Sequence, residues 1–372
     1  MTDVLVSGAS VAGTTVAYWL AHHGYSVTVV ERYPGLRPGG QAIDVRGPAL
    51  TVLERMWLRA AADHLRTRIR GPSVVDRDGN ELSRDTESTP TGGPIDSPDI
   101  ELLRDDLVEL LYGATQLKVE YLFGDSITAL DDDGTSVGVT FERAAPRSFD
   151  LVIGADGLHS NVRTLVFGPE EQFIERLGTH AAIFTVPNFL DLDYWQIWHY
   201  GDSTMAGVYS ARNNTEARAM LGFMETDLRI DYCDTEAQFA ELERRMANDG
   251  WVRPQLLQYM RSAPDFYFDE MSQIKMDHWS KGRVALVGDA GYCCSPLSGQ
   301  GTSVALLGAY ILAGELAAAG EDYERGFANY QTEFGDYVKR NQWLVVDNIP
   351  GGAPIPQEVF DRIVRSITLK DY

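Results

Sequence analysis

The chain has 372 residues, of which 44% are hydrophobic and 23% charged, the proportions of a folded protein with a core of its own and not of a disordered chain or a collagen. Its 32 basic against 54 acidic side chains leave a net charge of −22, which repels phosphate backbones and anionic lipid and excludes a general nucleic-acid or membrane-surface binder. The three cysteines, Cys233, Cys293 and Cys294, show no C-x-x-C spacing and read as reduced thiols in a cytoplasmic protein without a metal site.

In chain order, Asp3–Ser7 is an apolar run that ends in glycine and predicts a buried parallel strand; no basic segment precedes it, so no signal peptide is expected. Gly8 to Gly13 is a tight turn, Thr14–His23 a helix stopped by Gly24, and Tyr25–Val30 a second buried strand closed by Glu31. Residues 35–47 read as loop, Ala49–Ala62 as a helix, 72–99 as a hairpin around Asp78-Gly79 followed by a polar loop, and Glu101–Leu111 as an amphipathic helix. Residues 118–150 alternate as antiparallel strands, and Phe149–Ile153 returns to the buried-strand pattern.

From about residue 175 to 275 the texture changes. Strand-like runs at Ala181–Val186, Tyr194–His199, Thr204–Ser210 and Ala219–Glu225, rich in aromatics, surround a helix near 235–248. Arg283–Val287 is again a buried strand, followed by a loop and a long helix over Gly301–Ala319. The apolar stretch Val304–Ala313 is too short to span a bilayer, which takes about 20 residues, and reads as a buried helix. A last helix covers about 323–345. The expected division is 1–174 and 276–322 as one interrupted domain, 175–275 as an inserted sheet domain, and 323–372 as a C-terminal helical segment.

Three segments carry chemistry. In Gly8-Ala9-Ser10-Val11-Ala12-Gly13 a turn between strand and helix brings backbone N–H groups to a pyrophosphate, and Glu31 offers a carboxylate to a ribose. Ser10 stands where a middle glycine is usual, and is small enough for close approach. In Asp150–Arg163 a strand ends in Gly154-Ala155-Asp156-Gly157, then a helix begins with Ser160 near its cap and Arg163 one turn on. In Gly288–Gly301, Asp289 ends a strand, and Pro296, Gly299, Gln300, Gly301 and Thr302 open a helix whose N-terminus favours negative charge on a flat ring. Taken singly, the second segment reads by default as an Asp-Gly turn and a capped helix, while a ligand-free turn is the lesser reading of the first and the third.

Together, in this order and spacing, the three segments resemble the FAD-dependent aromatic hydroxylases, the flavoprotein monooxygenases typified by para-hydroxybenzoate hydroxylase, from Val4 to about Gln342. Tetracycline-inactivating monooxygenases look similar. The resemblance implies an α/β fold: a Rossmann-like FAD-binding domain with an inserted, mostly antiparallel β-sheet substrate domain and C-terminal helices. It implies FAD held by Gly8, Ser10, Val11, Ala12, Gly13, Glu31 and Arg32, by Asp156 and Gly157 in a motif associated with both FAD and NAD(P)H, and by Asp289, Pro296 and Gly299–Thr302. Arg104 sits where the family keeps an arginine that reaches the FAD, and Arg46 is a similar candidate for FAD or NADPH phosphate.

The activity implied is NADPH reduction of FAD, reaction with O2 through a flavin C4a-hydroperoxide, and hydroxylation of a small aromatic or polycyclic phenol or enol, in antibiotic modification or secondary metabolism. An FAD-dependent reductase or dehydrogenase without oxygen insertion is the alternative; a halogenase W-x-W-x-I-P motif is absent, Trp195-Gln196-Ile197-Trp198 not being it. Gln196, Trp198, Arg212 and Phe223 are the candidate substrate contacts, and neither His180 nor His199 is assigned as a base. The sequence departs from the family at Gly291-Tyr292, Ser303 and Gly308, where Ala-His, Asn and Asp are usual. No nucleic acid or integral membrane partner is expected, and the protein is taken as a monomer or homodimer.

Overall fold

The structure is a computed structural model and describes residues 1–90, 93–347 and 355–372. Two large sheets organise it. The first has six strands in the spatial order Ser280–Lys281, Val284–Leu286, Leu151–Gly154, Asp3–Ser7, Ser26–Glu31 and Glu120–Phe123. All but the short edge pair are parallel, and Val4 to Ser7 run in register with Leu151 to Gly154 on one side and with Val27 to Val30 on the other. Apolar side chains point to both faces, as a sheet covered twice demands. Helix Val11–His22 lies on this sheet and packs on helix Gly301–Ala319, which in turn packs on Tyr323–Trp343. Gly301–Ala319 is long and apolar enough to cross a membrane, but most of it is buried inside the fold: an all-round apolar helix here means a helix with protein on every side.

The second sheet has seven strands in the order Tyr267–Ile274, Ile174–Val186, Glu216–Met224, Thr204–Ala211, Gln196–Tyr200, Pro72–Val75 and Glu81–Arg84. The expected hairpin at Asp78-Gly79 forms, and its first strand pairs in parallel with Gln196–Trp198, so this sheet draws two strands from outside residues 175–275. One face is covered by helices Thr235–Met246 and Arg253–Ser262, whose Leu242, Met246, Leu256 and Met260 pack on Ala182, Phe184, Leu221, Phe223 and Phe268. The other face meets the first domain: Ile274 N–H donates to Cys293 O at 3.1 Å, and Ala42 N–H to Tyr209 Oη at 2.9 Å.

Several local expectations change. The helix expected over 49–62 is two, Pro48–Arg55 and Arg59–His64, broken where Trp57 takes a φ of +61°. Ala42–Val45, expected as loop, is a strand paired with Ile100–Leu103, so Glu101 to Leu103 are strand and the helix begins at Arg104. Glu120–Phe123 joins the parallel sheet, whereas Ile127–Asp132, Val137–Phe141 and Arg147–Phe149 are antiparallel as expected. Helix Arg253–Ser262 had no sequence expectation.

Candidate active site

The three glycine-bearing turns end three adjacent strands. Gly8 has a φ of +105°, and a Cβ on it would sit 2.5 Å from the carbonyl oxygen of Ala155; a Cβ on Gly13 would sit 1.9 Å from the oxygen of Gly8. Glycine is therefore required for the first helix to close on the strand carrying the second motif. Gly288, at φ +68°, closes the third turn on the same helix, its Cβ position being 2.8 Å from Ala12 Cβ. Ser10 is the N-cap residue of helix Val11–His22, and its side chain makes no capping bond, so the first-turn amides of Val11, Ala12 and Gly13 face the opening of the turn. Glu31 accepts from Ala9 N–H and Tyr33 N–H, both at 2.8 Å, which fixes its carboxylate beside that turn; Arg32 is exposed next to it.

Asp156 and Asp289 look alike in sequence and differ in space. Asp156 turns back into its own chain, accepting from Ser160 Oγ at 2.5 Å and Val162 N–H at 3.0 Å, and burial raises its carboxyl pKa. It fastens the turn to helix Asn161–Phe167 and remains half-buried beside it. Gly157, at φ +85°, borders open space. Asp289 is solvent-accessible, yet enough protein surrounds it that desolvation raises its carboxyl pKa. Pro296–Ser298 forms a short 3-10 turn, Gly299 is left-handed at φ +62°, and neither Gly299 nor Gly301 has any atom within 4 Å of a would-be Cβ. Thr302 is half-buried, and Gln300 is fully buried with neither amide atom bonded.

Arg104 opens helix Arg104–Thr115, and its Nη2 donates to Arg37 O at 2.8 Å and Gly39 O at 2.6 Å, while its buried Nε has no partner. Burial, with Arg37 beside it, lowers its pKa to about 10. Arg46 pairs with Asp44 at 3.0 Å, and its N–H donates to Ser303 Oγ at 2.9 Å. Burial raises Asp44 to about 7 against the pull of Arg46, with Glu101 and Asp99 adding to the rise.

Residues 1–341 match the FAD binding domain family. Over 339 residues, 91% of this chain and 86% of the relative, the sequence is 39% identical to a flavin-dependent monooxygenase of Legionella longbeachae serogroup 1 (strain NSW150). The chain belongs to the FAD-dependent monooxygenases. An uncharacterized protein of Mycobacterium tuberculosis (strain ATCC 25618 / H37Rv) is 83% identical over 372 residues, 100% of each chain. The crystal structure of tetracycline destructase Tet(51) matches with a TM-score of 0.90 at 34% identity, covering 100% of both chains. The residues present fit FAD: free first-turn amides, open space over Gly157, Gly299 and Gly301, and an orphaned arginine nitrogen at Arg104 are what a dinucleotide ending in a flat ring requires.

The monooxygenase's substrate candidates fall on different sides of the second sheet. Gln196 and Trp198 lie on the face toward the first domain, Gln196 Oε1 accepting from Trp198 Nε1 at 3.0 Å, and the Trp198 ring lies flat under Gly207, where a Cβ would meet it at 2.4 Å. Gln196, Tyr209 and Arg218 are in register across three strands, a row the sequence analysis did not assemble because strand direction was not fixed. Phe223 is on the opposite face, stacked on His180 at 4.9 Å and covered by Arg245 of a surface helix; it is core, not substrate wall. His180 goes with it, and His199 accepts from Arg253 Nε at 3.1 Å on that same side. Arg212 is a strut: its three nitrogens reach Asp105 at 2.8 Å, Asp106 at 2.6 Å and Glu216 at 2.9 Å, tying the second sheet to helix Arg104–Thr115.

Proposed function

We propose that this monooxygenase uses NAD(P)H and O2 to hydroxylate a planar aromatic or polycyclic phenol or enol. Bound FAD supplies hydride acceptance and oxygen activation. The observation that carries the reading is the convergence of three glycine turns at the ends of adjacent parallel strands, with nothing within 4 Å of the would-be Cβ positions of Gly157, Gly299 and Gly301. The amides of Val11 to Gly13 hold the pyrophosphate, Glu31 the ribose, and Asp289 the ribityl region, with Arg104 closing on the phosphates. Arg32 and Arg46 flank this site, and Asp156 and Gly157 shape its floor.

Gln196 and Trp198 orient the substrate, with Tyr209 and Arg218 completing the wall. A planar polycycle suits a flat ring on one side and a tryptophan-bearing sheet on the other, and Tet(51), a tetracycline destructase, is alike over its whole length. Covering both faces excludes water, which keeps activated oxygen from being lost as peroxide. The free thiols Cys233, Cys293 and Cys294 support a cytoplasmic setting.

The test is NADPH and NADH oxidation by FAD-loaded protein with and without candidate phenols and enols, read together with product mass. Substrate-stimulated oxidation and a product heavier by one oxygen atom are expected. Slow oxidation indifferent to every aromatic overturns the reading in favour of a reductase.

A further inference from the structure

One group of side chains outside the three glycine turns joins them to the second sheet. His159 follows Gly157, and its Nδ1 lies 3.0 and 3.1 Å from the oxygens of Glu170 while its Nε2 lies 3.2 Å from both oxygens of Asp269. A carboxylate at each ring nitrogen requires both nitrogens to donate, so the site selects the imidazolium. The ring stacks on Tyr232 at 3.9 Å and 5°. Burial works to lower the His159 pKa, but the bonds and charges of Asp269 and Glu170 outweigh it and lift it to about 9.

Behind Glu170 stands Arg163, fully buried and bonded to it at 2.8 Å, so that carboxylate is fixed from two sides. Asp269 has another partner, the hydroxyl of Tyr267 at 2.7 Å. Because Phe268 packs under the surface helices, Tyr267 and Asp269 point the other way, toward the glycine turns. The Tyr267 ring carries the Arg37 guanidinium 5.2 Å from its centroid, and the Arg37 carbonyl is the one gripped by Arg104. Tyr267 remains 38% exposed although burial, with Asp269 and Asp289 nearby, lifts its hydroxyl pKa well above the ordinary value; its O–H is given to Asp269, so it presents its ring and a hydroxyl lone pair to the open wall.

We propose that Tyr267 is a cofactor-contacting residue that faces the ribityl–pyrophosphate stretch from the second sheet, and that His159 is the positioning residue which holds it there by bridging Glu170 and Asp269. The inference rests on the FAD reading above. It makes cofactor affinity depend on one proton. When His159 loses it, a ring nitrogen becomes a lone pair facing a carboxylate. Glu170 stays anchored by the Arg163 guanidinium, whereas Asp269 is left with the Glu270 N–H at 2.8 Å on one oxygen and the Tyr267 hydroxyl on the other, so it is the Asp269 carboxylate, and Tyr267 bonded to it, that shifts. Tyr232 stacks on the ring, and Cys233, Arg32 and Asp231 lie close enough for their charges to reach Tyr232.

The experiment is titration of apoprotein with FAD, followed by flavin fluorescence, for the wild type, His159→Gln and Tyr267→Phe across neutral and alkaline pH. For the wild type, Kd is expected to be flat to neutrality and to rise about tenfold as pH passes about 9. His159→Gln is expected to bind about tenfold more weakly at neutral pH and to lose the pH step, and Tyr267→Phe to weaken binding while shrinking the step. A His159→Gln protein with the wild-type Kd and step overturns the inference and leaves the monooxygenase reading standing. If that variant does not fold, a wild-type Kd flat through this range overturns it equally. A wild type that binds no FAD at any pH brings down both.

Discussion

Tyr292 and Gly308 stand where histidine and aspartate are usual in this family, and the structure makes them one exchange. A Cβ on Gly308 would lie 2.0 Å from Tyr292 Oη, so the glycine is the socket for the tyrosine hydroxyl, which also accepts from Tyr330 Oη at 2.7 Å. The Trp279 ring packs against Tyr292 at 4.5 Å, which places the pair in the core behind the third turn and not in the open space over Gly299. Both departures were visible in the sequence; their pairing was not, because nothing along the chain says that two helix positions point at each other. Gly308→Ala is expected to cost 1–3 kcal/mol, roughly the overpacking range. Tyr292→Phe is expected to cost about 1 kcal/mol for the lost hydroxyl bond. Because the Oη is the atom struck, the double variant should be more stable than the sum of the two by about 1 kcal/mol or more in urea unfolding. Strict additivity would show that the two do not touch.

At the scale of elements, the three strand–turn–helix units were legible because a buried parallel strand is a short apolar run and its turn needs glycine where backbones meet, as at Gly8 and Gly13. Helix Gly301–Ala319 was legible from its unbroken apolar composition. Strand Ala42–Val45 was not, being four residues between glycine-rich stretches with a charged Asp44 in it, and the break at Trp57 was not, since tryptophan gives no warning of a left-handed backbone. The site divides in the same way. Sequence identifies two carboxylates after strand ends but cannot tell that Asp156 folds back onto Ser160 while Asp289 stays open. Ser160 is the cap the sequence suggested, its Oγ accepting from Arg163 N–H at 3.0 Å while it donates to Asp156. Ser160→Ala is expected to lower unfolding free energy by about 1–2 kcal/mol, since it takes away both bonds of one short helix start. Denaturant titration checks this, and an unchanged midpoint would show that the helix start is held by Asp156 and Arg163 without it.

At the scale of the whole molecule, the net charge of −22 and an anionic dinucleotide are at odds, and the arrangement of arginines resolves the conflict locally. Arg104 and Arg37 meet at the open wall, and Arg46 lies behind the neighbouring strand pair. Such a cluster acts at contact distance, whereas the acidic surface acts from afar. Screening separates the two: the Debye length shrinks from about 30 Å at roughly 0.01 M salt to about 10 Å at roughly 0.1 M. An approaching FAD therefore meets the repulsion of the whole protein in dilute buffer and mainly the local arginines once salt is present. The association rate of FAD with the apoprotein is expected to rise several-fold over that range, with dissociation nearly unchanged, because the buried contacts are screened far less. Stopped-flow fluorescence over a sodium chloride series measures both rates. An association rate that falls steadily with salt would show that the arginines, and not the acidic surface, govern the approach, and that the protein's charge is arranged to steer its cofactor in.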